Sequence, residues 1–145
     1  MTQEDKTKKF PNYFPIGQLP VGAKEQNIEV YRMCKWGIVE RKAFFSNYEE
    51  AVFLGIELKG YSHENYLLDI DKHSVSSFEK QEDAKSRLKL FTRHKPACII
   101  AKGITDASCR PSQRTAERKK CRDSHVDWWI YETAHPHMHF VEVKL

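Results

Sequence analysis

HVDWWIYETAHPHMHFVEVKL, residues 125–145, holds four of the chain's seven histidines and two of its three tryptophans. Its two apolar runs, HVDWWIYE and MHFVEVK, alternate as strands do, and TAHPH between them has the proline expected at a turn. The stretch therefore reads as a C-terminal hairpin that completes a sheet. Trp128 and Trp129 are adjacent, so on a strand they point to opposite faces. Either the sheet is covered on both faces, or the outward ring is covered by a helix, an N-terminal arm or a bound ligand.

Upstream of the hairpin, residues 103–124 lack apolar periodicity and concentrate cations: Arg110, Arg114, Arg118, Lys119, Lys120 and Arg122. A connection of that length is a functional loop or a mobile one. It suits phosphates or an acidic protein, although no aromatic lies between Phe91 and Trp128 to stack bases. Before it, ACIIAKG, residues 97–103, is a short continuous apolar run of the kind buried inside a sheet. SVSSFEKQEDAKSRLKLFTRH, residues 74–94, has Ser76 three before Glu79, the spacing of a capping box, and predicts the longest helix, ended by Pro96.

Ser46 and Glu49 repeat that spacing and predict a short helix from about Asn47 to Glu57. YLLDID, residues 66–71, reads as extended, and NIEVYRMCKWG, residues 27–37, as the first strand. Residues 1–27 form an extended arm, because Pro11, Pro15 and Pro20 forbid helix; Phe10, Tyr13, Phe14 and Ile16 are its anchors, on the domain or on a partner. These elements predict an α+β domain over residues 28–145, with a mixed, mainly antiparallel sheet of about five strands, two helices and a long basic loop.

At 145 residues and 40% apolar the chain is long enough for one buried core. It has no apolar run of membrane-spanning length, and its charged start does not resemble a signal peptide, so a cytoplasmic protein is expected. Cys34, Cys98, Cys109 and Cys121 lack CxxC spacing and read as free thiols. The net charge of +4 argues for solubility and a weak attraction to polyanions.

On an extended strand His135, His137 and His139 would share one face at about 6.6 Å intervals, near enough for two to grip an ion. Cys109, Cys121 and His125 could add ligands if the basic loop folds back, but Cys109 to Cys121 is too wide for a knuckle, so zinc is not favoured. Arg32 is the other conspicuous residue, a cation inside an apolar strand. It must face a cleft at the strand end or pair with a carboxylate such as Glu49 or Glu50.

A strand carrying Tyr31-Arg32, a later strand ending in the serines of SVSSF and a late strand carrying Glu142 together resemble the arginine, serine and glutamate arrangement of the ADP-ribosyltransferase fold. That resemblance implies NAD in the cleft of a split sheet, with Arg32, Ser76 and Glu142 as catalytic residues and Tyr31, Arg32, Ser77 and Trp129 around the cofactor. The alternative is a non-enzymatic module. It would bind an acidic protein or nucleic acid through Phe10, Tyr13 and Phe14 of the arm and Arg110, Arg114, Arg118, Lys119, Lys120 and Arg122 of the basic loop.

Overall fold

Alternation along EVYRMC sends Val30 and Cys34 to one face of a strand and Met33 to the other, and both faces are covered. The computed structural model describes residues 10–15, 19–55, 69–91, 98–105, 111–132 and 134–144. Among them are strands β1 (Lys24–Glu25), β2 (Glu29–Cys34), β3 (Val75–Phe78), β4 (Ile99–Ile104), β5 (Pro111–Arg114), β6 (His125–Trp128) and β7 (Val141–Val143), with helices α1 (Asn47–Leu54) and α2 (Gln81–Phe91). The strands form one open sheet in the order β1-β5-β6-β3-β2-β4-β7. The α+β class is as expected. The sheet, however, has seven strands rather than about five, and every pairing is antiparallel.

On one face Ile28, Val30, Cys34, Val75, Ala101, Val126 and Trp128 pack with Ala43 and Phe44 of the 3₁₀ turn Arg41–Phe44 and with Phe140. On the other, Met33, Phe78 and Ile100 receive Ala84 and Leu88, four apart on α2. Both tryptophans are fully buried, and the chain itself covers the outward one. Trp129 donates its Nε1–H to the Ile70 carbonyl at 3.0 Å, and the Arg118 guanidinium lies 5.7 Å from its ring centre.

The expected hairpin does not form. β6 lies between β5 and β3, while β7 pairs with β4 at the opposite edge of the sheet. Alternation determines which face a side chain takes but not which strand it pairs with. The histidine run between them is a 3₁₀ turn, Pro136–Met138, rather than strand, and Pro136 at its first position needs no backbone N–H there. His135 and His137 rings sit 5.9 Å apart, nearly perpendicular. His139 and Pro136 close the turn backbone to backbone at 2.9 Å.

Ser46 caps α1 as its spacing predicts: its Oγ accepts from the Glu49 N–H and the Glu49 carboxylate accepts from the Ser46 N–H, both at 3.2 Å. Gly55 ends α1 in the left-handed region at φ 65°, so Glu57 lies beyond this helix and outside the described residues. The second box is not used. Ser76 is inside β3, and α2 begins only at Gln81, because Ser124 captures the approach to it: the Glu79 N–H donates to the Ser124 carbonyl at 3.1 Å and the Lys80 N–H to its Oγ at 2.9 Å. Ser124 in turn donates from Oγ to Asp83 at 2.6 Å.

Two segments read as irregular contribute strands. β1, from the N-terminal arm, pairs with β5, from the basic stretch, and β5 is interior to the sheet. Of YLLDID, residues 66–68 lie outside the described residues, and its end enters the 3₁₀ turn Ile70–His73. Among the described residues no helix is long and apolar enough to cross a membrane.

Gly103 of β4 is required by packing rather than by a turn. A Cβ there would lie 2.5 Å from the ring of Phe140, which stacks on Trp128 at 5.8 Å and meets Phe44 edge-on at 4.9 Å. Gly103→Ala is expected to cost about 2 kcal/mol by overpacking. A thermal melt checks this, and an unchanged midpoint would mean that Phe140 swings aside freely.

Candidate anion-binding cleft

β2 makes a six-residue ladder with β4, and β3 a four-residue ladder with β6, yet β2 and β3 share one pair only, Tyr31 with Phe78. Beyond that pair the two strands part. Arg32 fills the gap. Its Nε donates to the Ala43 carbonyl at 3.0 Å, Nη1 to the Ser76 carbonyl at 2.7 Å and Nη2 to the Phe45 carbonyl at 3.5 Å. The guanidinium thus substitutes for missing ladder bonds, and neither Glu49 nor Glu50 is its hydrogen-bond partner. Burial pulls Arg32 below the ordinary guanidinium value, opposed by Cys34 and Glu50.

Where the strands part there is a cleft of about 210 Å³, lined by Arg32, Met33, Lys35, Phe45, Asn47, Glu50, Ser74, Ser76, Phe78, Arg87 and His125. Lys35 pairs with Glu50 at 3.0 Å. The Phe78 ring is a shared floor, 5.8 Å from the Arg87 guanidinium and 5.4 Å from the His125 ring. A guanidinium has five N–H donors, so Arg32 retains two beyond the three it gives to carbonyls. Three cations and an imidazole therefore converge against a single carboxylate, an arrangement suited to a phosphate-bearing ligand.

Behind the cleft lies a buried polar cluster centred on Asp127. Its Oδ1 accepts from Ser74 at 3.0 Å, and its Oδ2 accepts from Thr115 and from Arg118, both at 2.7 Å. Arg118 also bridges to Asp71 and donates to Gln113 at 3.2 Å. The Thr115 Oγ lies 2.5 Å from Nδ1 of His125. Burial holds His125 below the ordinary imidazole value, with Arg87 and Lys119 acting the same way and Asp127 and Asp123 opposing.

No family model, curated protein or solved structure matches this chain. Its site rests on its own geometry.

Of the residues the sequence singles out, Arg32 and Ser76 meet in the cleft. Glu142 does not line it; it is exposed on β7, in register with Ala101, which is in register with Arg32, so two strand spacings separate them. Ser77 faces the other way and accepts from Trp128 Nε1 at 2.9 Å, and Trp129 is sealed in the interior. Tyr31 is half-buried at the one β2–β3 pair, with Lys102 5.7 Å from its ring.

The arm packs on its own domain. Phe10 stacks on Phe14 at 4.0 Å and meets Tyr131 at 4.8 Å, and Tyr13 donates to Glu49 at 2.8 Å. The basic stretch is largely neutralised from within: Arg114 pairs with Glu79 at 3.1 Å, Arg118 with Asp71 and Asp127, and Lys119 with Asp71 at 3.3 Å. Lys120 and Arg122 are exposed, and Ile16, Cys109 and Arg110 lie outside the described residues. No group of three His, Cys, Asp or Glu side chains is placed to hold a metal ion among the described residues.

Two charged cleft residues, Lys35 and Arg87, escape a reading by sequence, while Glu50 is read there only as a partner for Arg32 and His125 only as a metal ligand. One signal was available. Alternation in HVDW puts His125 and Asp127 on one face, and two ionisable residues sharing a face of an apolar strand mark a polar site. Nothing local ties Arg87 on α2 to Arg32 on β2.

Proposed function

We propose that the chain is an ADP-ribosyltransferase-like protein that holds NAD or a related nucleotide by its phosphates in the β2–β3 cleft. The observation that carries this is the convergence of Arg32, Lys35 and Arg87 on one cleft with Ser76, His125 and the single carboxylate Glu50. At about 210 Å³ the cleft is small for a ligand pocket, so it would take the phosphates while the rest of a dinucleotide extends over the surface. Arg32 and Ser76 keep the roles the family resemblance gives them. Glu50, not Glu142, lines the cleft and would be the carboxylate facing the sugar. The internal packing of Phe10 and Phe14 and the ion pairs of Arg114, Arg118 and Lys119 favour the cleft over the arm and basic stretch as the binding surface.

Titration calorimetry of the full chain tests the proposal. NAD and ADP-ribose should bind, and adenosine, lacking phosphates, should bind far more weakly. Arg87 is exposed on α2, so Arg87→Ala should leave the melting temperature nearly unchanged. It should weaken ADP-ribose binding about tenfold, the equivalent of one lost charge-assisted bond of about 1.4 kcal/mol. Failure of both phosphorylated ligands to bind would sink the reading.

A further inference from the structure

We infer that His125 is the proton acceptor of the cleft, its Nε2 lone pair presented to the ligand by the chain of hydrogen bonds through Thr115 to Asp127. This rests on the nucleotide reading above and assigns one residue a role within it.

The argument is a count of hydrogens. Asp127, paired with Arg118, is a carboxylate and only accepts. Thr115 has one hydroxyl hydrogen, and its Oγ lies 2.7 Å from Asp127 Oδ2, so that hydrogen points to Asp127. The opposite assignment would set a lone pair of Thr115 against the carboxylate oxygen. With its hydrogen spent, the Thr115 oxygen at 2.5 Å from Nδ1 of His125 must accept, so Nδ1 carries a proton. A neutral imidazole with Nδ1–H has its lone pair on Nε2.

Position supplies the rest. The ring lines the cleft with 19% of its side chain exposed. With Nδ1 held by Thr115, Nε2 is the ring nitrogen left to face the cleft that His125 lines with Ser76 and Arg87. Burial keeps the ring in its neutral form against Asp127 and Asp123.

In transfer of the ADP-ribosyl group, the bond from ribose C1′ to the nicotinamide nitrogen breaks and its electron pair leaves with nicotinamide. A water or acceptor hydroxyl forms the new bond to C1′ and gives up a proton. His125 Nε2 takes that proton, while the Glu50 carboxylate faces the charge that develops on the sugar.

Two measurements decide it. Long-range proton–nitrogen spectra of the ¹⁵N-labelled full chain should show His125 as the Nδ1–H tautomer at neutral pH. Thr115→Val should abolish that preference and Thr115→Ser restore it, which separates the relay from a general loss of folding. A parent chain found as Nε2–H, or as imidazolium, overturns the proposal. NAD hydrolysis should rise with pH through the imidazole titration, and His125→Gln should remove that rise and slow the reaction about a hundredfold. A chain that neither binds nor hydrolyses NAD overturns the nucleotide reading and this role with it. Unchanged hydrolysis after His125→Gln overturns the role of His125 alone.

Discussion

Arg118→Met is expected to lower the unfolding free energy by about 3 kcal/mol, because it leaves a buried carboxylate without its charge partner. Asp127 has only 5% of its side chain exposed, and Arg118 16%. Without the guanidinium, Asp127 keeps the hydroxyls of Ser74 and Thr115, which do not neutralise it. Methionine fills a similar volume, so the loss is electrostatic rather than a cavity. In a chain of this length about 3 kcal/mol corresponds to a fall of roughly 10 °C in melting temperature. Arg114→Met is the internal control. Its pair with Glu79 is 48% and 32% exposed, and losing it should cost less than about 1 kcal/mol. Equal effects of the two substitutions would refute the central place given to Asp127.

The same cluster sets an acid limit. Burial pushes Asp71 up, but Arg118 and Lys119 outweigh it and hold its carboxyl below the ordinary aspartate value. A carboxyl depressed on folding contributes stability that is present above its ordinary value of 3.8 and is lost as pH falls through the folded value. His125, held low by burial, adds a second loss. Below its ordinary 6.5 the unfolded chain takes up a proton that the folded one resists, so stability falls with pH from there downward. Urea midpoints followed from pH 7 to pH 3 should decline in two stages, and Arg118→Met should flatten the lower one.

Arg32→Met is expected to be comparably damaging, again about 3 kcal/mol, and to abolish the nucleotide binding proposed above. Three carbonyls lose their donor where the parted strands offer no replacement, and the two short bonds account for most of the cost. Arg32→Lys should recover little stability. An ammonium on a flexible stem cannot span the Ala43 and Ser76 carbonyls as a planar fork does. Urea unfolding measures both. A loss below about 1 kcal/mol for Arg32→Met would mean that the gap between β2 and β3 is closed by backbone or water instead.

Some of this architecture is legible in the sequence. The Ser46–Glu49 box specifies α1, ACIIAKG specifies an interior strand, and Arg32 stands out as a cation among apolar residues. The misreadings have particular causes. Ser76 has the spacing of a cap, but it lies five positions before a helix whose start is set by Ser124, more than forty positions away. The basic stretch lacks periodicity because β5 is short and buries Ser112 and Gln113 in place of large apolar residues. The family resemblance points to Glu142, and the carboxylate that lines the cleft is Glu50, carried there by the capped helix α1.

The sequence by itself determined the α+β class, the cap and start of α1, and the burial of ACIIAKG inside the sheet. Those are local matters of hydrogen-bond spacing and alternation. Only the tertiary structure decided that β6 and β7 stand on opposite sides of the sheet, that β2 and β3 part around Arg32, and that His125 meets Thr115 and Asp127. Arg32 and Ser76 are 44 positions apart and Ser74 and Asp127 are 53. Which strands pair, and which side chains converge where pairing fails, depends on the burial of the whole sheet at once.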